Sequence, residues 1–265
     1  MIVKDNLHPA KVFGYVRQPL LFSATVAVVV VVARRATGSA QLAFPLAPVA
    51  TLGAAVSIFV AFRNNASYGR WWEARTVWAN IHNSSRVLAR QLVAATDNAI
   101  ESGSGGARED VLAYRRELVL RIVAFAHALR LQLRDERDWT ALSPFVSDAE
   151  YEALARADNK ANLLLQRQAV RIKDGVRDGI VGQFDPITLE PNLAALNASV
   201  AACERIKTTP TPRQYDYFTR RAVLLLALLL PFGLESVIPH NQEWLVIVLS
   251  VSVAGCSSFS NGSAP

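Results

Sequence analysis

Residues 42–62 read LAFPLAPVATLGAAVSIFVAF, a run with no charged side chain. A helix that crosses the hydrocarbon core of a bilayer needs roughly 20 mostly apolar residues, and this run supplies them. Inside hydrocarbon no water satisfies the backbone, so a segment of this kind has to bond to itself as a helix. Pro45 and Pro48 stand at its beginning, where proline is tolerated in a first turn. No proline follows, and helical spacing persists through AFRNNASYGRWWEARTVWANIHNSSRVLARQL. The sequence therefore predicts one long helix that leaves the membrane and continues into a charged, aromatic-rich segment.

Three further apolar runs occupy residues 20–33, 222–238 and 244–256, and Glu235 is the only charge in them. The first and last are shorter than a full span and need flanking residues or a bundle that shields their ends. Together the runs predict an all-α integral membrane protein with four transmembrane helices in two pairs. The divisions are residues 1–62 for an N-terminal helix and two spans, 63–220 for a helical cytoplasmic region, and 221–265 for two spans and a short tail. Two other readings compete. Buried core helices of a soluble protein accommodate the short runs, but not the valine block at 28–32 or the long second run. A cleaved signal peptide accommodates the first run alone, with small residues at 36–40 following it.

The formal net charge is +6, and its location is informative. Arg63, Arg70, Arg75, Arg86 and Arg90 are opposed by Glu73 alone, and Lys4, Lys11 and Arg17 by Asp5 alone. Basic excess marks the cytoplasmic side, which places the N-terminus and the middle region inside the cell. Arg213, Arg220 and Arg221 before the third run agree, whereas Arg34 and Arg35 fall outside, against the rule. No basic block with interleaved aromatics points to nucleic acid. His8, His82, His127 and His240 are scattered without ligand spacing, so no metal is expected. No nucleophile elbow, phosphate loop or dinucleotide fingerprint appears, so neither an enzyme nor a cofactor is expected. Cys203 and Cys256 are read as reduced thiols.

Between the spans, ESGSGGARED at 101–110 breaks the long helix. Residues 110–133 carry apolar positions at helical spacing, and Ser147 with Glu150 matches a capping box. Further helices are predicted over 160–181 and about 188–207, with Asp185-Pro186 between them and Pro210 and Pro212 after them. The acidic groups Asp135/Glu136/Asp138 and Asp148/Glu150/Glu152 read as solvated turn and cap residues.

The string Phe62-Arg63-Asn64-Asn65-Ala66-Ser67-Tyr68-Gly69-Arg70-Trp71-Trp72-Glu73-Ala74-Arg75 resembles the most recognisable stretch of the bestrophin ion-channel family. Phe184-Asp185-Pro186-Ile187, Cys203-Glu204-Arg205-Ile206 with Thr209-Pro210-Thr211-Pro212, and Leu230-Pro231-Phe232-Gly233-Leu234 are similar pieces in the right order. The resemblance spans residues 10 to about 250. It implies a homopentamer in the inner membrane around one central pore that passes small inorganic ions, with lipid as the other partner. Animal members carry an acidic calcium-binding segment after the last span. Residues 254–265 read AGCSSFSNGSAP, so calcium gating is not implied.

By family position Ala54, Ile58 and Phe62 line a neck, and their spacing of four puts them on one helix face. Five copies would stack apolar rings, which gate by dewetting. Lipid-facing or packing roles are the alternative. Ile187 falls at a cytoplasmic aperture with Asp185 beside it, against ordinary helix-start hydrophobe and helix cap. Arg63 adds charge below the neck or snorkels to lipid. Asn64 and Tyr68 belong to the same motif, and Trp71 and Trp72 fit an interfacial belt or helix packing. Arg70 and Glu73, three apart, are expected to pair on the helix surface. Pro231 and Gly233 are expected to kink the third span, and Glu235 within it to face protein, water or, as preferred, the outer interface. The basic vestibule favours chloride and other anions. The alternatives are a cation-selective channel, a secondary transporter, and a non-conducting scaffold.

Overall fold

A computed structural model describes residues 9–37, 44–209 and 213–261. Pro210, Thr211 and Pro212 of the third motif, and the last four residues of the tail, lie outside the described residues. Among the described residues the chain is helix and turn with no strand. It forms two compact units, one from residues 1–69 with 211–265 and one from 70–210.

The first unit holds α1 (Pro9–Thr37), the beginning of α2 (Leu46–Ser102), α7 (Arg213–Glu235) and α8 (Trp244–Asn261). Arg17–Thr37, a stretch within α2, and Tyr217–Glu235 are each long and apolar enough to cross a membrane, while the apolar part of α8, Trp244–Cys256, is shorter. The first run is thus extended by its flanks to 21 residues. α1 packs against α7 and α8. Ser23 Oγ satisfies itself inside that contact by donating to the Ser250 carbonyl at 3.0 Å. α2 meets α7 through Val49 and Val56 against Val223 and Leu226. Gly233 permits a close approach there: a Cβ at this position would lie 3.2 Å from both Leu46 and Val49. Gly233 thus has a packing role beside the kink expected of it, and the helix runs unbroken through Pro231 to Glu235.

The second unit holds the remainder of α2 with α3 (Arg108–Leu133), a 3-10 turn (Thr140–Phe145), α4 (Asp148–Arg156), α5 (Lys160–Arg177) and α6 (Asp185–Thr208). α2 runs for 57 residues without a break, because no proline or helix stop interrupts it before Gly103 turns the chain at φ 67°. Leu88 and Leu92 of α2 join Leu118, Phe125 and Leu129 of α3, Leu164 of α5, and Leu189 and Leu196 of α6 in one core. Burial of each such side chain contributes about 2 kcal/mol.

Two boundaries differ from the sequence reading. α5 ends at Arg177 and not at 181, because the amides of Ile180 and Val181 both turn back to the Gly175 carbonyl, at 2.8 and 3.0 Å, with Gly179 in the left-handed region at φ 73°. α6 starts at Asp185, with Pro186 in its first turn.

Glu150 is a correction to the solvated reading of the acidic groups. Ser147 Oγ accepts the Glu150 amide as a cap, but the Glu150 carboxylate is buried and takes two hydrogen bonds from Arg121, at 2.8 and 3.1 Å. Arg121 also donates to Glu117 at 2.7 Å, and Glu117 receives Arg171 at 3.0 Å. A charge buried on α3 requires a partner from another helix, which the periodicity of α4 alone does not disclose. Next to this network the Tyr114 hydroxyl donates to the Arg171 carbonyl at 2.9 Å. Burial pushes the Tyr114 phenol up to about 12. A Cβ at Gly175 would overlap that hydroxyl, so the site requires glycine.

Glu150→Ala leaves Arg121 buried beside an emptied site and lowers unfolding stability by about 3 kcal/mol, measured by denaturant titration of the detergent-solubilised protein. Glu117 gives a pH signature. Burial raises its carboxyl and the hydrogen bonds from Arg121 and Arg171 outweigh this, so its pKa lies below the ordinary value. Its contribution is complete above the unfolded value of about 4.3 and is lost as pH falls through the lower folded value. The melting-temperature gap between the unmodified chain and Glu117→Gln therefore closes as the pH is taken below about 4.

Candidate functional site

The two faces of the membrane part of α2 have different fates. Val49, Gly53 and Val56 lie against α7, with Leu52 and Val60 partly covered beside them. Ala54, Ile58 and Phe62 lie on the other face, with Ile58 57 % and Phe62 67 % exposed within the subunit. Helical periodicity forces this split, since positions four apart stay on one side while those between them turn towards α7. Phe59 is exposed as well, so the open surface is wider than the three residues alone.

Further along α2 the motif residues divide by exposure. Arg63 and Arg70 are half-buried, and Asn64, Tyr68, Trp71, Trp72 and Glu73 are exposed. The rings of Trp71 and Trp72 lie 6.3 Å apart. Arg70 and Glu73 do not pair with each other, which corrects the sequence reading. Arg70 donates to the Ile206 carbonyl and Glu73 receives Arg205, so both bind the C-terminal turns of α6. Spacing of three permits an intrahelical pair, but an α6 terminus with unsatisfied carbonyls competes for the guanidinium.

At the other end of α6, Ile187 is 69 % exposed and Phe184 stands bare before it. Asp185 is the first helical residue and not the cap, which is Phe184. The Asp185 carboxylate reaches back to accept the Gly182 amide at 2.9 Å, and the Asp185 amide donates to the Gly182 carbonyl at 3.1 Å. The turn before α6 is thus closed on itself by one side chain. Gln91 of α2 donates to the Thr188 carbonyl at 3.1 Å and accepts from Asn192 at 2.9 Å.

A charged cluster at the end of the first unit was only half visible in the sequence. Glu235 is 3 % exposed and forms an ion pair with Arg34, whose guanidinium also donates to the Glu235 carbonyl at 2.9 Å. Arg35 meets Glu243 at 2.6 Å, and His240 Nδ1 lies 2.6 Å from the same carboxylate. Hydrogen bonds from His240 and Arg35 hold the Glu243 carboxyl below the usual carboxylate range. Glu235 therefore faces protein at the end of α7, one of the three settings expected of it. The adjacent basic pair at 34–35, out of place by charge counting, was the available signal that acidic partners exist. Among the described residues no group of three or more His, Cys, Asp or Glu side chains could hold a metal ion. Cys203 is buried and Cys256 exposed, both as free thiols.

A family model described as Bacterial/Fungal Bestrophin protein matches residues 7–258. The chain is 34 % identical over 193 residues to a voltage-dependent anion channel-forming protein of Mesorhizobium japonicum, covering 73 % of this chain and 58 % of that one. It is 30 % identical over 207 residues to a protein of the same description from Escherichia coli, covering 78 % and 64 %. The chain thus spans less than two thirds of the length of these curated relatives. Crystal structures of a bacterial Bestrophin homolog from Klebsiella pneumoniae carrying single mutations are similar at 26 % identity. One has a TM-score of 0.80 and covers 96 % of this chain and 90 % of its own. Another has a TM-score of 0.79 and covers 92 % and 87 %.

Removing one member of the Arg34–Glu235 pair leaves the other charge buried. Glu235→Ala lowers stability by about 3 kcal/mol, and replacing both partners together, Arg34→Met with Glu235→Leu, recovers most of it. Thermal unfolding of the three proteins in one detergent checks this.

Proposed function

The chain belongs to the bacterial and fungal bestrophin family, and from that premise we propose that it assembles as a homopentameric membrane channel for small inorganic anions. The observation that carries the proposal is the open face of α2. Among the described residues no element covers Ala54, Ile58 and Phe62, although the opposite face is packed on α7. Five such faces around one axis give stacked apolar rings, the neck of the pore. In a narrow ring of this kind water is lost and a passing ion finds no replacement ligand, so conduction depends on small changes in width. Ala54 makes the outermost ring wider than the two below it. Ile187, with Asp185 beside it, forms the cytoplasmic aperture.

Four spans are part of this reading, α8 being the shortest and sheltered by α1 and α7. The N-terminus and residues 63–220 lie in the cytoplasm, on the strength of the basic excess there. Arg34 and Arg35, on the opposite side, do not contradict that orientation, since Glu235 and Glu243 neutralise them. The regions 1–62, 63–220 and 221–265 then divide the chain by membrane topology. The preference for anions rests on Arg75, Arg86 and Arg90, all exposed on the cytoplasmic part of α2, whose field concentrates anions at the inner mouth. The Mesorhizobium and Escherichia relatives, described as anion channel-forming proteins, agree with that sign. A cation-selective channel is the second reading, favoured by one feature, the Asp185 carboxylate beside the exposed Ile187.

The reversal potential of the purified protein in a planar bilayer under a salt gradient tests the proposal. It moves towards the chloride equilibrium potential, and Phe62→Ala raises the current severalfold by widening the apolar ring. A reversal potential at the cation value selects the second reading, and Asp185→Asn then moves it back towards zero.

A further inference from the structure

α6 is a single helix of 24 residues whose first turn carries Asp185 and Ile187. That turn is closed locally by Asp185 and Thr188 but lacks one helical bond. Pro191 has no amide hydrogen, so the helical bond it would make to the Ile187 carbonyl is absent. Further support comes from α2. Near the first turn, Gln91 holds the Thr188 carbonyl and the Asn192 amide group. At the far end, Arg70 holds the Ile206 carbonyl and Glu73 holds Arg205.

The spacing of these contacts is matched. Gln91 and Glu73 are about 27 Å apart along α2, and Thr188 and Arg205 about 26 Å apart along α6, at 1.5 Å per residue. The two helices therefore run antiparallel and are tied at both ends by residues of α2; the far end is also held by α3 and the start of α5, where Gln132 and Asn159 donate to Glu204 and Lys207 donates to the Gln132 carbonyl. α3 and α5 pack on α6 as well, but near the first turn the side-chain ties from another helix among the described residues are those of Gln91. The Asp185 turn itself is closed locally through Gly182, so α2 sets where that turn stands and Asp185 sets its shape.

We propose that Gln91, Arg70 and Glu73 are positioning residues for the aperture: they fix the location of Ile187 and Asp185 by tying α6 to α2 at two points. The inference rests on the reading of Ile187 as an aperture residue given above, and it deepens that reading. Arg70 and Glu73 belong to the motif that carries the family resemblance, and tying α6 gives them a role distinct from lining a pore.

The test uses the full-length assembled protein with Gln91→Leu, Glu73→Arg, Arg205→Glu and the Glu73→Arg/Arg205→Glu double variant, each retaining its helical content and its elution as an oligomer. Hydrogen exchange is read at the amides of Gly182, Asp185 and Ile187, all three bonded in the native turn. The relative permeability to a small and a large anion is read in bilayers. Gln91→Leu and each single charge reversal speed exchange at these amides by about two- to fivefold, the range that one exposed charge or hydrogen-bond tie provides. They change the permeability ratio as well, and the double variant restores both. Faster exchange confined to 203–208, with the three amides and the permeability ratio unchanged, overturns the proposal, because the far tie would then only prevent fraying. If the unmodified protein carries no current, the channel reading fails, and the exchange measurement alone decides whether α2 positions this turn.

Discussion

Backbone amides in hydrocarbon have no water to bond, and this one constraint organises the first unit. Each apolar run becomes a helix because only a helix satisfies its own backbone. The faces of these helices are then sorted by what remains to be satisfied. Ser23 on α1 finds a carbonyl on α8, and Arg34 finds Glu235 at the end of α7. What is left over on α2 is an apolar face with no such need, exposed within the subunit. The proposed channel reading rests on a helix that is packed on one side and, among the described residues, exposed on the other.

The same need to satisfy polar groups governs the second unit in a wetter setting. Arg121 is buried among leucines and is held by two carboxylates, Glu150 and Glu117. Glu117 in turn holds Arg171, so α3, α4 and α5 are joined through one chain of charges. An apolar core tolerates many rearrangements of similar volume, whereas a buried ion pair tolerates few, because every displaced charge is left uncompensated. Under the proposed reading of Ile187 as an aperture residue, a second unit joined in this way is what a fixed aperture requires.

Much of this was legible in residue order. The uncharged run at 42–62, its continuation without proline, and the Gly-rich break near 103 together specify α2 almost to its ends. The four apolar runs and the all-helical character follow from length and periodicity. The positions of Ala54, Ile58 and Phe62 on one face follow from spacing alone. The sequence could not disclose the partners. Arg70 and Glu73 looked like a pair because they are three apart, and they serve α6 instead. Glu150 looked solvated because its own short helix is polar, and it is buried because Arg121 lies behind it.

Local periodicity decides which groups point the same way, and that is why helices, spans and the apolar face of α2 were fixed by the residues themselves. Partner choice is decided between elements distant in the chain, as with Arg34 and Glu235, 201 residues apart. A charge can be neutralised by any carboxylate brought within reach, and one-dimensional order does not say which. Only the packing of α1 on α7, of α3 on α4 and of α6 on α2 selects among them, because electrostatic and hydrogen-bond energies fall off over a few ångströms while sequence separation carries no distance at all.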